Sequence, residues 1–145
     1  MNVLFVCIGN TCRSPMAEAV LKKMLRDSRI SGVKVGSAGI NASGGKLMNP
    51  LAQAVLKENG YELKRFLSRR LTPELLGKAD IAICMTREIA AAAGNEKCVA
   101  ISDLFCVEDI SDPFGGGPSD YRRAFEEIHF ACKLIIKDIK DNKKR

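Results

Sequence analysis

Cys7 and Arg13 lie six positions apart in Cys7-Ile8-Gly9-Asn10-Thr11-Cys12-Arg13-Ser14-Pro15, a spacing that lets a sulfur nucleophile and a permanent cation share one loop. A helix N-terminus and a neighbouring cation favour the thiolate form of a cysteine, and a thiolate can attack phosphorus. Arg13 offers a planar fork that matches two phosphoryl oxygens and stays charged. The N–H groups of Ile8, Gly9, Asn10, Thr11, Cys12 and Arg13 would cradle the anion. Gly9 and Asn10 tolerate the positive φ that turning those groups inward requires. Ser14 is expected to donate to the Cys7 sulfur and to cap the following helix, with Pro15 at its first position. A buried cysteine followed by an ordinary turn is the plain alternative. The order of apolar Val3–Val6, loop, Ser-Pro and helical pattern favours the phosphate loop.

A phosphoryl group passing to Cys7 leaves behind an oxygen or nitrogen that must be protonated. The stretch Ser111-Asp112-Pro113-Phe114-Gly115-Gly116-Gly117-Pro118 is too rich in Gly and Pro to be helix or strand. It is read as a loop that brings Asp112 to the mouth of the site. On spacing alone Glu108 and Asp109 are rivals. Arg13 and the loop amides would supply the charge stabilisation, so no metal is called for.

The elements that must hold these groups follow from periodicity. Residues 2–6 read as a strand buried on both faces, hence part of a parallel sheet covered by helices. From Ser14 to about Arg29, Ala17, Val20, Leu21 and Met24 fall at helical spacing opposite Lys22, Lys23 and Arg26. Val33 to Gly39 alternates like an edge strand parallel to the first, with Ser37 at its end. Asn41 to Lys46 reads as a loop flanking the site mouth. Asn49-Pro50, Thr72-Pro73 and Thr86 mark helix starts, for helices ending near Asn59, Leu76 and Gly94. Ser68, Arg69 and Arg70 read as a solvated loop, contact with an acidic substrate being the lesser reading. Asp80–Met85 and Lys97–Ile101 are the third and fourth strands. A last helix from about Ser119 carries an apolar stripe of Tyr121, Phe125, Ile128, Cys132, Ile135 and Ile139, with His129 beside it. Asp141–Arg145 is a charged tail expected to fray. With no repeat and no linker, residues 1–145 are expected to form one domain: an α/β, doubly wound parallel sheet with the site at the carboxyl ends of its strands.

Six scattered cysteines without a Cys-x-x-Cys pair, and a single histidine, argue against zinc and for reduced thiols in a reducing compartment. No run approaches the roughly 18 apolar residues of a membrane span, and the start lacks the charged-then-apolar signature of a secretion signal. The expectation is a cytoplasmic chain with no membrane partner. A formal charge of +6 favours acidic partners, but with no Trp and only two Tyr the chain lacks the interleaved aromatics of a nucleic-acid surface. Phosphorylated protein surfaces are the expected partner.

Taken with Asp112-Pro113, the loop resembles that of the low-molecular-weight protein tyrosine phosphatases. Their motif Cys-x-Gly-Asn-x-Cys-Arg-Ser-Pro is met by Cys7, Gly9, Asn10, Cys12, Arg13, Ser14 and Pro15, and their Asp-Pro acid motif by Asp112 and Pro113. The resemblance implies a four-stranded sheet of order 2-1-3-4 with helices on both faces and the phosphate-binding loop after strand 1. It implies hydrolysis of phosphorylated protein side chains through a phosphocysteine, inorganic phosphate as product, no cofactor, no metal, and a monomer. It makes Cys7 the nucleophile, Arg13 the phosphate and transition-state ligand, Asp112 the general acid and then base, and Ser14 the support of the thiolate. Asn10 and Ser37 would brace the loop, a water-facing hydroxyl being the other reading of Ser37. Cys12 would form a reversible disulfide with Cys7, the alternative being a small packed residue. The family's protein-arginine phosphatase branch resembles this chain in Thr11, where tyrosine phosphatases carry a branched apolar residue, in Met85-Thr86, and in Asp112-Pro113-Phe114-Gly115. A hydroxyl at Thr11 would suit the attacking water or polar leaving group of phosphoarginine, so the reading leans that way with phosphotyrosine still open. Phe114 would line the pocket for either.

Other classes fit less well. The nucleotide-binding pattern Gly-x4-Gly-Lys-Ser/Thr is absent. A phosphocysteine carrier domain shares the strand, Cys loop and helix but needs neither Arg13 nor Asp112. An arsenate reductase on this scaffold needs a cysteine relay after the third strand, where Thr86–Lys97 contains none and Cys84 and Cys98 read as strand residues. A phosphopeptide-binding module would not need nucleophile and acid together.

Overall fold

Val3-Leu4-Phe5-Val6 is apolar at every position because its strand lies inside the sheet and is covered on both faces. In the structure, a computed structural model that describes residues 1–143, β1 (Asn2–Cys7) is flanked by β2 (Lys34–Gly39) and β3 (Ile81–Cys84), and β4 (Cys98–Ala100) completes the sheet. The order is β2-β1-β3-β4 and every pairing is parallel. The register sets Cys7 opposite Gly39, Phe5 opposite Ser37, and Val6 opposite Cys84, so three strands end around the Cys7 loop.

Among the described residues six helices connect and cover the strands: α1 (Arg13–Asp27), α2 (Pro50–Glu58), α3 (Pro73–Lys78), α4 (Arg87–Ala93), α5 (Ile101–Phe105) and α6 (Pro118–Lys143). The crossover from β1 to β2 and that from β3 to β4 run in opposite directions across the sheet. Right-handed crossovers therefore put α1 on one face and α4 on the other. The stripe of α6 is buried at Tyr121, Phe125, Ile128, Cys132, Ile135 and Ile139 and packs on α1, where the Cys132 thiol lies 3.9 Å from the Ala17 carbonyl. Full burial raises the Cys132 pKa and burial likewise pushes that of Cys84 up to about 12, so both are inert core thiols. His129, beside the stripe, stacks on Phe125 with ring centroids 5.5 Å apart. No helix among the described residues is long and apolar enough to cross a membrane.

The helix starts read from sequence carry the caps that motivated them. Asn49 accepts from the Leu51 N–H, Thr72 from Leu75 and Thr86 from Ile89, each satisfying an orphan donor of a first turn. Three expectations need correction. Helix α1 begins at Arg13, its N-cap is Cys12 without a side-chain cap, and Ser14 and Pro15 are its second and third residues; Ser14 is drawn to sulfur instead of capping. The fourth strand stops at Ala100, because Ile101 turns inward to start the short α5, where Ile101 and Ser102 are buried. The charged tail does not fray over Asp141–Lys143. Lys140 and Lys143 sit in the last turn of α6, where cations favour a helix C-terminus, and the Lys143 ammonium donates to the Ser31 carbonyl at 3.2 Å. Lys144 and Arg145, the rest of that tail, lie outside the described residues.

Candidate active site

The chain leaves β1 at Cys7 and enters α1 at Arg13 through a five-residue loop. Asn10 takes φ +55° at its centre, a left-handed conformation that Asn tolerates better than most residues. This turn aims the Asn10 N–H at the Cys7 sulfur, 3.2 Å away. The Ser14 hydroxyl lies 2.8 Å from the same sulfur and accepts from the Asn10 amide at 2.8 Å. Its one proton is therefore free for Cys7, the other acceptor within reach being the Ala38 carbonyl at 3.5 Å.

The same Asn10 amide donates to Ser37 at 3.0 Å, which links the loop to β2. Ser37 in turn donates to Glu18 at 2.6 Å, and Glu18 accepts from the Lys22 ammonium at 2.6 Å. Asn10 is fully buried and Ser37 and Glu18 nearly so, so each polar group needs a partner; leaving one unpaired costs about 1–3 kcal/mol. Glu18 was not legible as a site residue: in sequence it is one more charge on an amphipathic helix, and only the register of β2 brings Ser37 over it.

The Ser68–Arg70 segment is exposed at Arg69 and Arg70, as the solvated-loop reading expects, but Ser68 is buried and the segment is tied to the site. The Arg69 N–H donates to the Asn10 side-chain oxygen at 2.9 Å, and its carbonyl accepts from Gly39 at 3.0 Å. The Arg69 guanidinium donates to the Ser37 carbonyl at 2.9 Å, and buried Ser68 accepts from the Lys46 N–H at 3.0 Å. Gly39 has no room for a side chain: a Cβ there would collide with the Ile8 carbonyl and lie 2.9 Å from the Asn10 nitrogen. The phosphate loop is thus wedged against β2.

Cys12 points away from solvent and meets the buried Tyr121 hydroxyl of α6 at 3.3 Å. Burial raises its pKa, so it rests as a thiol. Arg13 is also buried. One of its terminal nitrogens donates to the Ile110 carbonyl at 3.1 Å, and the other faces the Asp112 carboxylate at 3.4 Å. The acid loop is anchored by the Ile110 N–H on the Met85 carbonyl at the end of β3, and by Glu127 of α6, which accepts from Ser111 through both N–H and hydroxyl. Asp112 is half exposed, and its second oxygen accepts from the Phe114 N–H at 3.1 Å. Asp109 is committed elsewhere, accepting from Ser102 and from the Arg87 N–H. Of the carboxylates near this loop, Asp112 is the one paired to Arg13.

Cys7, Ile8, Gly9, Thr11, Cys12, Arg13, Asp112 and Phe114 line one cavity of about 400 Å³, closed on another side by Asn41–Ser43, Lys46, Leu47 and Asn49. The loop expected to flank the mouth does so. Every sequence-nominated site residue either lines this cavity or, like Asn10, Ser14 and Ser37, braces its floor. A thiol, a buried guanidinium and a half-exposed carboxylate lining one cavity are the groups needed to bind a tetrahedral oxyanion and pass its phosphorus to sulfur.

Over residues 2–145 the chain matches the family model described as low molecular weight phosphotyrosine protein phosphatase. It is 34% identical to a protein-arginine-phosphatase of Bacillus subtilis over 99% of this chain and 100% of that one. It is 32% identical to a low molecular weight phosphotyrosine protein phosphatase of Homo sapiens over 93% of each. Its fold matches that of YwlE arginine phosphatase, solved as a Cys-to-Ser variant with a phosphorylated active-site serine, at a TM-score of 0.92, 31% identity and 99% coverage of both chains.

Proposed function

Because the chain belongs to the low-molecular-weight phosphotyrosine protein phosphatase family, whose members are cysteine-based, metal-independent phosphatases, we propose that it dephosphorylates protein side chains through a phosphocysteine on Cys7, with phosphoarginine preferred to phosphotyrosine. The observation that carries this reading is the meeting of Cys7, Arg13 and Asp112 in one cavity, with Arg13 bridging the floor to the acid. Cys7 sulfur attacks phosphorus while the bond to the leaving oxygen or nitrogen breaks, and Asp112 delivers the proton that neutralises that atom. Arg13 and the loop N–H groups hold the equatorial oxygens through the transition state. Asp112, now a carboxylate, takes a proton from a water that attacks the phosphocysteine; the S–P bond breaks, inorganic phosphate leaves and the thiolate is restored. Ser14 steadies that thiolate, and Asn10 with Ser37 keeps the cradle in shape. The chain works as one domain and a monomer in the cytoplasm, on phosphorylated protein substrates, without cofactor or metal.

Substrate preference rests on Thr11, which lines the cavity and whose hydroxyl, 3.8 Å from the Cys12 sulfur, is assigned the ordering of the attacking water or a guanidino leaving group. The relative named a protein-arginine-phosphatase supports this choice, while the human relative keeps phosphotyrosine as the second reading. Comparing kcat/KM on phosphoarginine and phosphotyrosine peptides tests it. The native chain is expected to prefer phosphoarginine, and Thr11→Ile to move the ratio toward phosphotyrosine by ~10 to 200-fold, the range for a pocket change of this size. A native preference for phosphotyrosine, or an unmoved ratio, overturns it.

Cys12 is assigned the role of trapping an oxidised Cys7. Peroxide converts a thiolate to a sulfenic acid, which condenses with a nearby thiol to a disulfide and water before further oxidation. Activity lost to peroxide should therefore return with reductant in the native chain and return far less in Cys12→Ser. Equal recovery would leave Cys12 as a packing residue against Tyr121.

A further inference from the structure

A cavity of about 830 Å³ forms a groove beside the catalytic one, between α2 and residues 60–66. The proposed function makes no use of it. Its floor is apolar, formed by Leu56, Tyr61, Leu63 and Phe66, and Leu47 also lines the catalytic cavity, so the two adjoin at that residue. Leu47 is 71% exposed, as expected of a contact side chain and not of a core residue. Along the rim stand Lys57, Lys64 and Arg65 against one acid, Glu62, and among the described residues none of the three cations is in a salt bridge. Arg65 takes φ +57° in the turn at residues 64–65, a conformation that costs a non-glycine residue energy and persists where the surrounding structure over-determines it.

We propose that this groove docks an acidic segment of the substrate protein, an apolar residue seated on the Leu47–Phe66 floor and carboxylates on Lys57, Lys64 and Arg65, within a few residues of the phosphorylated side chain. The inference rests on the phosphatase reading of the adjoining cavity. Charge selects the occupant: a rim with surplus cations attracts an acidic chain and repels a second copy of this basic one. Continuity through Leu47 puts the docked segment and the phosphoryl group on the same polypeptide.

The experiment uses phosphoarginine peptides, with phosphotyrosine peptides in parallel, in which Glu-Glu-Leu is set on either side of the phosphoresidue or replaced by Ser-Gly-Ser. p-Nitrophenyl phosphate serves as a substrate too small to reach the groove. On the native chain the acidic flank should raise kcat/KM about fourfold, mainly through KM, the product of two surface ion pairs each giving a factor of about two. The gain should shrink as salt rises. Lys64→Glu with Arg65→Glu, and separately Lys57→Glu on α2, should abolish it while leaving turnover of p-nitrophenyl phosphate within twofold of native. No preference for the acidic flank, or a preference that survives both variants, overturns the docking surface while leaving the phosphatase reading intact; loss of p-nitrophenyl phosphate turnover by the native chain would instead remove that reading. If the native chain dimerises at assay concentration and the Lys64/Arg65 variant does not, the occupant is a second copy and the proposal fails.

Discussion

Cys7→Ser is expected to lose turnover of every phosphorylated substrate by on the order of 10⁴-fold or more, the scale seen when a covalent nucleophile is removed. The loss should fall entirely on catalysis. The Asn10 N–H and the Ser14 hydroxyl that now face sulfur can serve a serine oxygen equally well, and Arg13 keeps its anchor on the Ile110 carbonyl. Phosphate or vanadate should still bind, as measured by calorimetry or by protection against thermal unfolding. Retained turnover would remove Cys7 from the mechanism. Loss of both turnover and anion binding would mean that the sulfur holds the cradle together.

Asp112→Asn should separate substrates by their leaving groups. A general acid contributes ~10² to 10⁴-fold where the departing atom needs a proton, as in phenyl phosphate or phosphotyrosine. Nitrophenolate leaves without one, so p-nitrophenyl phosphate should suffer far less. The amide side chain preserves the turn made with the Phe114 N–H but gives up the charge that faces Arg13. Comparable losses on good and poor leaving groups would assign Asp112 to anchoring Arg13 and not to proton transfer.

What could be read without coordinates were features whose chemistry is local. The cap residues Asn49, Thr72 and Thr86 announce their helices because a cap bonds within its own first turn. The Cys7–Arg13 loop announces itself because nucleophile, permissive backbone and cation lie within seven consecutive residues. Arg69 was opaque for the opposite reason. Two of its three bonds to the site are made by its own N–H and carbonyl, groups that every residue but proline possesses, so side-chain identity says nothing of them. Glu18 and Glu127 hid among the charges of amphipathic helices, where a buried acid and a solvated one have the same spacing. Cys12 stood between two readings because both are chemically sound for a small thiol. The α5 turn was lost because Ile101 suits the end of a strand as well as the start of a helix.

Helix α6, more than a hundred residues downstream of the Cys7 loop in sequence, has a part in both halves of the site: Tyr121 meets Cys12, and Glu127 holds the acid loop. Translation delivers the chain from its N-terminus at ~5–20 residues per second, so Cys7 and its loop leave the ribosome well before the helix that finishes their surroundings. Until α6 docks, the side of α1 that faces it is uncovered, and the acid loop, already tied to Met85 through Ile110, lacks its second tether at Glu127. A nascent chain therefore exposes Cys7 for seconds before the Tyr121 contact to Cys12 and the Glu127 tether of the acid loop can form.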